Sequence, residues 1–108
     1  MWYLLDEQKQ PYLVPVKEYM KLDYDPLMKI VQQDKIMDGD TEIFISTVFL
    51  GLDHGLGDRE SPNYKPLLWE TMIFEGKHND YQERYTSHKD ALEGHKQALE
   101  LVNQSLKQ

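Results

Sequence analysis

Hydrophobic positions along the chain change their period several times, and each change marks an element. Trp-Tyr-Leu-Leu at 2–5 and Tyr-Leu-Val at 12–14 are short apolar runs around the polar turn 6–10, and both read as strands. Pro15 suits the first turn of a helix. Val16, Tyr19, Met20 and Tyr24 keep helical spacing over 17–24 until Asp25-Pro26 interrupts it, because the residue before a proline is held away from α geometry. Residues 30–36 and 41–50 flank Met37-Asp38-Gly39-Asp40, and Asp-Gly is a favoured hairpin pair, so the two runs read as paired strands. In 43–50 (Ile-Phe-Ile-Ser-Thr-Val-Phe-Leu) no polar face alternates, which predicts a central strand covered on both sides. Residues 67–74 repeat the pattern, with Leu67, Trp69, Thr71 and Ile73 on one face and Leu68, Glu70, Met72 and Phe74 on the other. Residues 82–86 add a further strand.

The last helix carries the strongest signal. Ser87 is a good N-cap with Asp90 three residues on. Ala91, His95, Ala98, Val102 and Ser105 or Leu106 form one stripe at helical spacing, widened by Leu92, Leu99 and Leu101. Gly94 inside it permits close approach of the helix to the sheet. Together these elements predict a single α+β domain over 1–108: an antiparallel sheet of four to five strands, with an N-terminal helix and a longer C-terminal helix packed on it. Two strands apolar on both faces need two covers, either a helix on each face or a second subunit, so a homodimer is expected.

Composition narrows the function classes. The chain has 108 residues and a net charge of −7, from 12 Lys+Arg against 19 Asp+Glu. That balance argues against direct nucleic-acid binding, which rests on many cationic contacts to phosphates. No apolar run approaches the ~20 residues of a membrane span, and Met1 is not followed by a signal-peptide pattern. The absence of cysteine excludes disulfides and thiol chemistry and fits a reducing cytoplasm.

Candidate chemistry gathers around one long loop. Residues 51–66 separate the two apolar strands, far more chain than a hairpin needs, and such loops in compact domains are usually functional. Asp53-His54 sits where the strand leaves the sheet, a carboxylate beside an imidazole of the kind that orients a general base or holds a metal. The alternative is that Asp53 caps the loop. Gly55-Leu56-Gly57 is no phosphate loop, since it lacks the Gly-Lys-Ser/Thr ending and a strand follows. Glu70 interrupts an apolar face and should find a cation; depending on strand register it faces Arg84 or Tyr85. His95 lies on the apolar stripe, where a lone histidine is normally a satisfied core residue. His54, Glu70 and His95 would make a two-histidine, one-carboxylate ligand set if they converged. They come from three separate elements, and no metal or cofactor is assigned. Asp53, His54, Glu70 and His95 are therefore the candidate catalytic residues. Asp53, His54, Tyr64, Trp69, Arg84 and Tyr85 are the candidate binding residues, aromatics and arginine being favoured at interfaces.

Several of these positions recur together. The run Ser46-Thr47-Val48-Phe49-Leu50-Gly51-Leu52-Asp53-His54, then Trp69-Glu70-Thr71-Met72-Ile73-Phe74, Arg84-Tyr85 and Gly94-His95, resembles small proteins encoded by tailed bacteriophages and prophages, over about residues 30–102. Asp53, His54, Glu70, Thr71, Met72, Gly94 and His95 match the positions those proteins share. The chain departs from their pattern in Asp58-Arg59-Glu60 and in His88, where an aromatic is usual. The resemblance implies a phage genome and brings no assigned activity. The expected function is a small acidic binding protein acting in the host cytoplasm on a host or phage protein, for example as a counter-defence or host-takeover factor. A small hydrolase or metal-dependent enzyme using the Asp53/His54 loop is the first alternative, and a virion or replication accessory component the second.

Overall fold

The structure is a computed structural model that describes residues 2–22, 29–55 and 57–106. In chain order it contains β1 (Trp2–Leu5), β2 (Pro11–Val14), α1 (Val16–Leu22), β3 (Ile30–Asp38), β4 (Thr41–Phe49), β5 (Trp69–Phe74), β6 (Gln82–Tyr85) and α2 (His88–Leu106). The fold is α+β, as the hydrophobic pattern predicts. The sheet expected as one is divided: β3-β4-β5-β6 form a four-stranded antiparallel meander, and β1-β2 pair only with each other. Tyr24 and residues 27–28, where the first helix was expected to end or resume, lie outside the described residues.

The N-terminal hairpin closes around Asp6, whose carboxylate accepts the amides of Gln8 and Gln10, each at 2.9 Å. It docks at the exit of β4 through a Trp2–Leu52 bridge and the Tyr3 amide, which donates to the Gly51 carbonyl at 2.7 Å. The first helix packs chiefly on this hairpin rather than on the main sheet. Its Tyr19 reaches the sheet: the ring lies 4.3 Å from that of Trp2, and the hydroxyl donates to the Leu50 carbonyl at 2.8 Å.

Between β3 and β4 the turn is Gly39-Asp40, one residue later than the Asp-Gly pair suggested, since Asp38 already pairs with Thr41. Gly39 has φ +60°, and a glycine in the first loop position is the requirement of a II′ turn. The register Glu70↔Arg84 resolves the choice left open by the sequence.

One face of the meander is covered by α2, which crosses all four strands. Ser87 caps it as expected, its hydroxyl accepting the Asp90 amide at 3.0 Å. The buried helix positions are Ala91, Gly94, His95, Ala98 and Val102. They divide the interface into rows set by strand register. Ala98 and Val102 join Ile43, Ile45 and Ile73 in one apolar cluster; Ala91 joins Phe49, Leu68 and Trp69 in another. Each of the large side chains so buried contributes roughly 1.5–3 kcal/mol. Between the clusters runs a polar row, Thr47 beside Thr71, with His95 above. The tight seat of α2 depends on Gly94, because a side chain there would run into the ring of Tyr85 from β6.

The other face is where the expectation of two covers fails. Phe44, Ser46 and Val48 of β4, and Glu70, Met72 and Phe74 of β5, point away from α2, and no described helix or strand packs on them, although Ser46 and Glu70 are buried and Phe44, Val48 and Met72 half-buried. Ser46, which accepts Gln33 Nε2 at 3.0 Å, together with Lys35 and the Glu70–Arg84 pair, makes this face tolerable to water.

Candidate functional site

Asp53 is the hub of the long loop. Its Oδ1 accepts the Gly55 amide at 2.7 Å and the Leu67 amide at 2.9 Å, so one carboxylate oxygen ties the beginning of the loop to its end. Its Oδ2 accepts Arg59 Nε at 3.1 Å and the Tyr64 hydroxyl. Arg59 also donates to the Gly55 carbonyl at 3.0 Å. Gly55 is needed here for space, since a side chain would occupy the position of the Tyr64 hydroxyl. Burial pushes the Asp53 carboxyl up, but the bonds from Tyr64, Gly55, Leu67 and Arg59 outweigh it and hold the group below the usual aspartate range. The same bond to Asp53 raises the Tyr64 phenol. A carboxylate with four donors already in place is a structural acceptor, not a general base awaiting a proton. Neighbouring His54 is half-buried, held by its backbone amide on the Leu67 carbonyl at 3.1 Å, and its ring makes no hydrogen bond among the described residues.

His95 is wholly buried and belongs to a second polar chain. Its Nε2 lies 2.7 Å from Asp34 Oδ2 and its Nδ1 2.6 Å from Thr47 Oγ1, which in turn lies 2.5 Å from Thr71 Oγ1. A carboxylate only accepts, so Nε2 carries a proton; in the neutral ring Nδ1 then accepts from Thr47. The sequence Asp–His–Thr has the connectivity of a nucleophile–base–acid array. Thr47, however, is wholly buried beneath α2, so no substrate reaches its hydroxyl. The chain instead satisfies the polar row between the two apolar clusters. Beyond it the Tyr85 hydroxyl is buried without a partner at hydrogen-bonding geometry among the described residues, and burial pushes its pKa up to about 12.

Glu70 and Arg84 form the third arrangement, on the open face. Glu70 Oε2 accepts Arg84 Nε at 2.9 Å and Gln82 Nε2 at 2.7 Å. Toward the β3–β4 turn the same face becomes more apolar: the rings of Phe44 and Phe74 stack with centroids 6.0 Å apart, with Met72 and Met37 at the next positions of the face on β5 and β3. Phe74 on β5 is 41% and Met37 on β3 59% exposed, unusual for large apolar side chains on one face of a sheet.

The structure therefore separates the four candidate catalytic residues. Asp53 and His54 lie in the loop beyond β4, Glu70 projects from the open face, and His95 lies on the covered face. Among the described residues no three His, Asp or Glu side chains gather as a metal site. Of the candidate binding residues, Arg84 is presented on the open face, His54 and Tyr64 are half-buried in the loop, and Asp53 is enclosed by it. Trp69 is wholly buried and Tyr85 packs under α2, so both serve the core rather than a surface. Sequence reasoning missed Asp34, Thr47, Arg59 and Tyr64 as partners, and missed the open face itself. Its signal was present in Phe44 and Phe74 lying in register, once the pairing is known. No family model, curated protein or solved structure matches the chain.

Proposed function

We propose that this protein is a binding module that engages another protein through the uncovered face of its four-stranded sheet. The observation that carries the reading is the uncovered face itself, on which Met37 and Phe74 are exposed and Phe44 and Met72 half-buried, beside the Glu70–Arg84 pair. Exposed contiguous apolar surface rimmed by polar groups is characteristic of an interaction site. The candidate catalytic side chains support the same reading, because Asp53 and His95 are engaged in bonds that hold the fold. In the phage setting suggested by the motifs, the partner is a host or phage protein in the cytoplasm, and a counter-defence or host-takeover role fits a small module of this kind. No described helix is long and apolar enough to cross a membrane.

A second copy of the chain would also cover the face. It would bring −7 against −7, however, and that repulsion favours a different partner.

Affinity capture from the lysate of a candidate bacterial host tests the proposal. Phe74 and Leu92 are equally exposed at 41%, the first on the open face and the second on α2. The expected result is a partner retained by the parent and by Leu92→Asp but lost with Phe74→Asp. A partner retained by Phe74→Asp, or lost equally from both, contradicts it.

A further inference from the structure

The apolar part of the open face is not evenly surrounded. Met37, Phe44 and Phe74 lie at the end of the sheet where β3 turns into β4 and where β5 leaves for β6. The two turns bordering that end carry Asp38, Asp40 and Glu42 on one side and Glu75 and Asp80 on the other, all exposed. Against these five carboxylates stand two lysines, Lys35, paired with Glu42 at 3.4 Å, and Lys77, itself engaged. The opposite end of the same face is electrically closed, since Glu70 and Arg84 neutralise each other.

An apolar anchor point within an acidic rim selects its occupant by charge. Carboxylates repel phosphates, which disfavours nucleic acid and anionic lipid. A second copy docked with the same ends together would place like charges opposite one another. The surface that complements it carries apolar side chains for Phe44 and Phe74 and Lys or Arg for the rim, where such pairs steer association and choose among partners more than they add affinity. Resting on the reading of the open face as the binding surface, we infer that the partner docks there a basic amphipathic segment, with an apolar side chain against Met37, Phe44 and Phe74 and its cations over Asp40, Glu42, Glu75 and Asp80.

Three designed helical peptides with the same apolar stripe test this, their flanks filled with Lys/Arg, Gln or Glu. Each is titrated into the isotopically labelled protein and followed by amide and methyl chemical shifts. The cationic peptide is expected to move Met37, Glu42, Phe44 and Phe74, to bind about tenfold or more tightly than the Gln peptide, and to weaken between about 50 mM and about 300 mM salt. The Glu peptide is expected not to bind. The double variant Asp40→Lys/Glu42→Lys should cancel the preference for the cationic peptide, while Glu93→Lys/Glu100→Lys on α2 should retain it.

Equal binding of the cationic and Gln peptides at these residues overturns the charge inference and leaves the open face as the binding surface. Shifts scattered over carboxylates elsewhere, with Phe44 and Phe74 unmoved, overturn the inference as non-specific attraction. Failure of all three peptides to move any residue of the face counts against both the inference and the function proposed above.

Discussion

Removing the Asp53 carboxylate is the substitution that most sharply separates a loop organiser from a catalytic residue. In Asp53→Ala the Gly55 and Leu67 amides lose their acceptor at a shielded site, and each such loss costs about 1–3 kcal/mol. The Arg59 side chain is 43% exposed and can return to water, so its lost ion pair adds little. Tyr64 loses the acceptor that seats its ring against Gly55 and Gly57. The two amide losses alone sum to about 2–6 kcal/mol, which for a domain of this size is a fall of about 10–25 °C in Tm. Asp53→Asn keeps one oxygen for the two amides but turns an NH₂ group toward Arg59, and should cost about 1–2 kcal/mol.

The pH dependence has a fixed sign. Because the folded-state pKa of Asp53 lies below its unfolded value, its stabilisation is complete above the ordinary aspartate range and is lost as pH falls through the folded value. Thermal and urea melts at neutral pH and through the acid limb measure both effects. The Asp53→Ala protein should show a shallower acid limb, and His54→Ala should stay within about 0.5 kcal/mol of the parent. An Asp53→Ala protein within about 1 kcal/mol of the parent at neutral pH would refute the loop-organiser assignment.

Further expectations follow from the covered face. His95→Ala should lose about 1–3 kcal/mol by stripping Thr47 and Asp34 of a partner, and Thr47→Val should lose a similar amount, each read by urea melts; zinc or manganese should leave the parent's Tm unchanged. Gly94→Ala should destabilise by about 1–3 kcal/mol in the same melts, although alanine gains about 1 kcal/mol of helix propensity, because the new side chain meets the Tyr85 ring. Tyr85→Phe should be nearly neutral at pH 7, since the hydroxyl has no partner at hydrogen-bonding geometry among the described residues. With the Tyr85 pKa pushed up from 10.0 to about 12, its stabilisation is complete below the unfolded value and lost as pH rises through the folded one, so alkaline melts of Tyr85→Phe should fall less steeply over that window.

How far the sequence carried these conclusions depended on whether an interaction was local or needed register. The capped helix with its Ala91–His95–Ala98–Val102 stripe was legible because helical period and N-cap are both local. The strands and the β3–β4 hairpin were legible for the same reason, within one or two residues at their ends. Glu70 was legible as a residue needing a cation, and Arg84 as one of two candidates, but the choice required the register of two strands joined through a long turn. The partners of His95 were beyond reach: Asp34 lies 61 residues away and Thr47 lies 48 away, and nothing in the chain around either points to the other. Thr47 and Thr71 could be recognised as opposed only after the sixteen-residue loop between their strands is closed. Asp53 was singled out for the right location and offered two roles; the loop-capping role is the one its four donors support. The open face was misread because alternation was scored by residue type. Phe44, Val48, Met72 and Phe74 look like core positions, and only the placement of α1 on the β1–β2 hairpin leaves them uncovered.

The most direct test of the binding surface is hydrogen–deuterium exchange on the protein alone and in complex with a partner captured from host lysate. Protection on binding should fall on the backbone of residues 35–46 and 70–76 and leave the Asp53 loop and α2 unchanged. Protection confined to the 51–66 loop or to α2, with the open face exchanging as in the free protein, would contradict it.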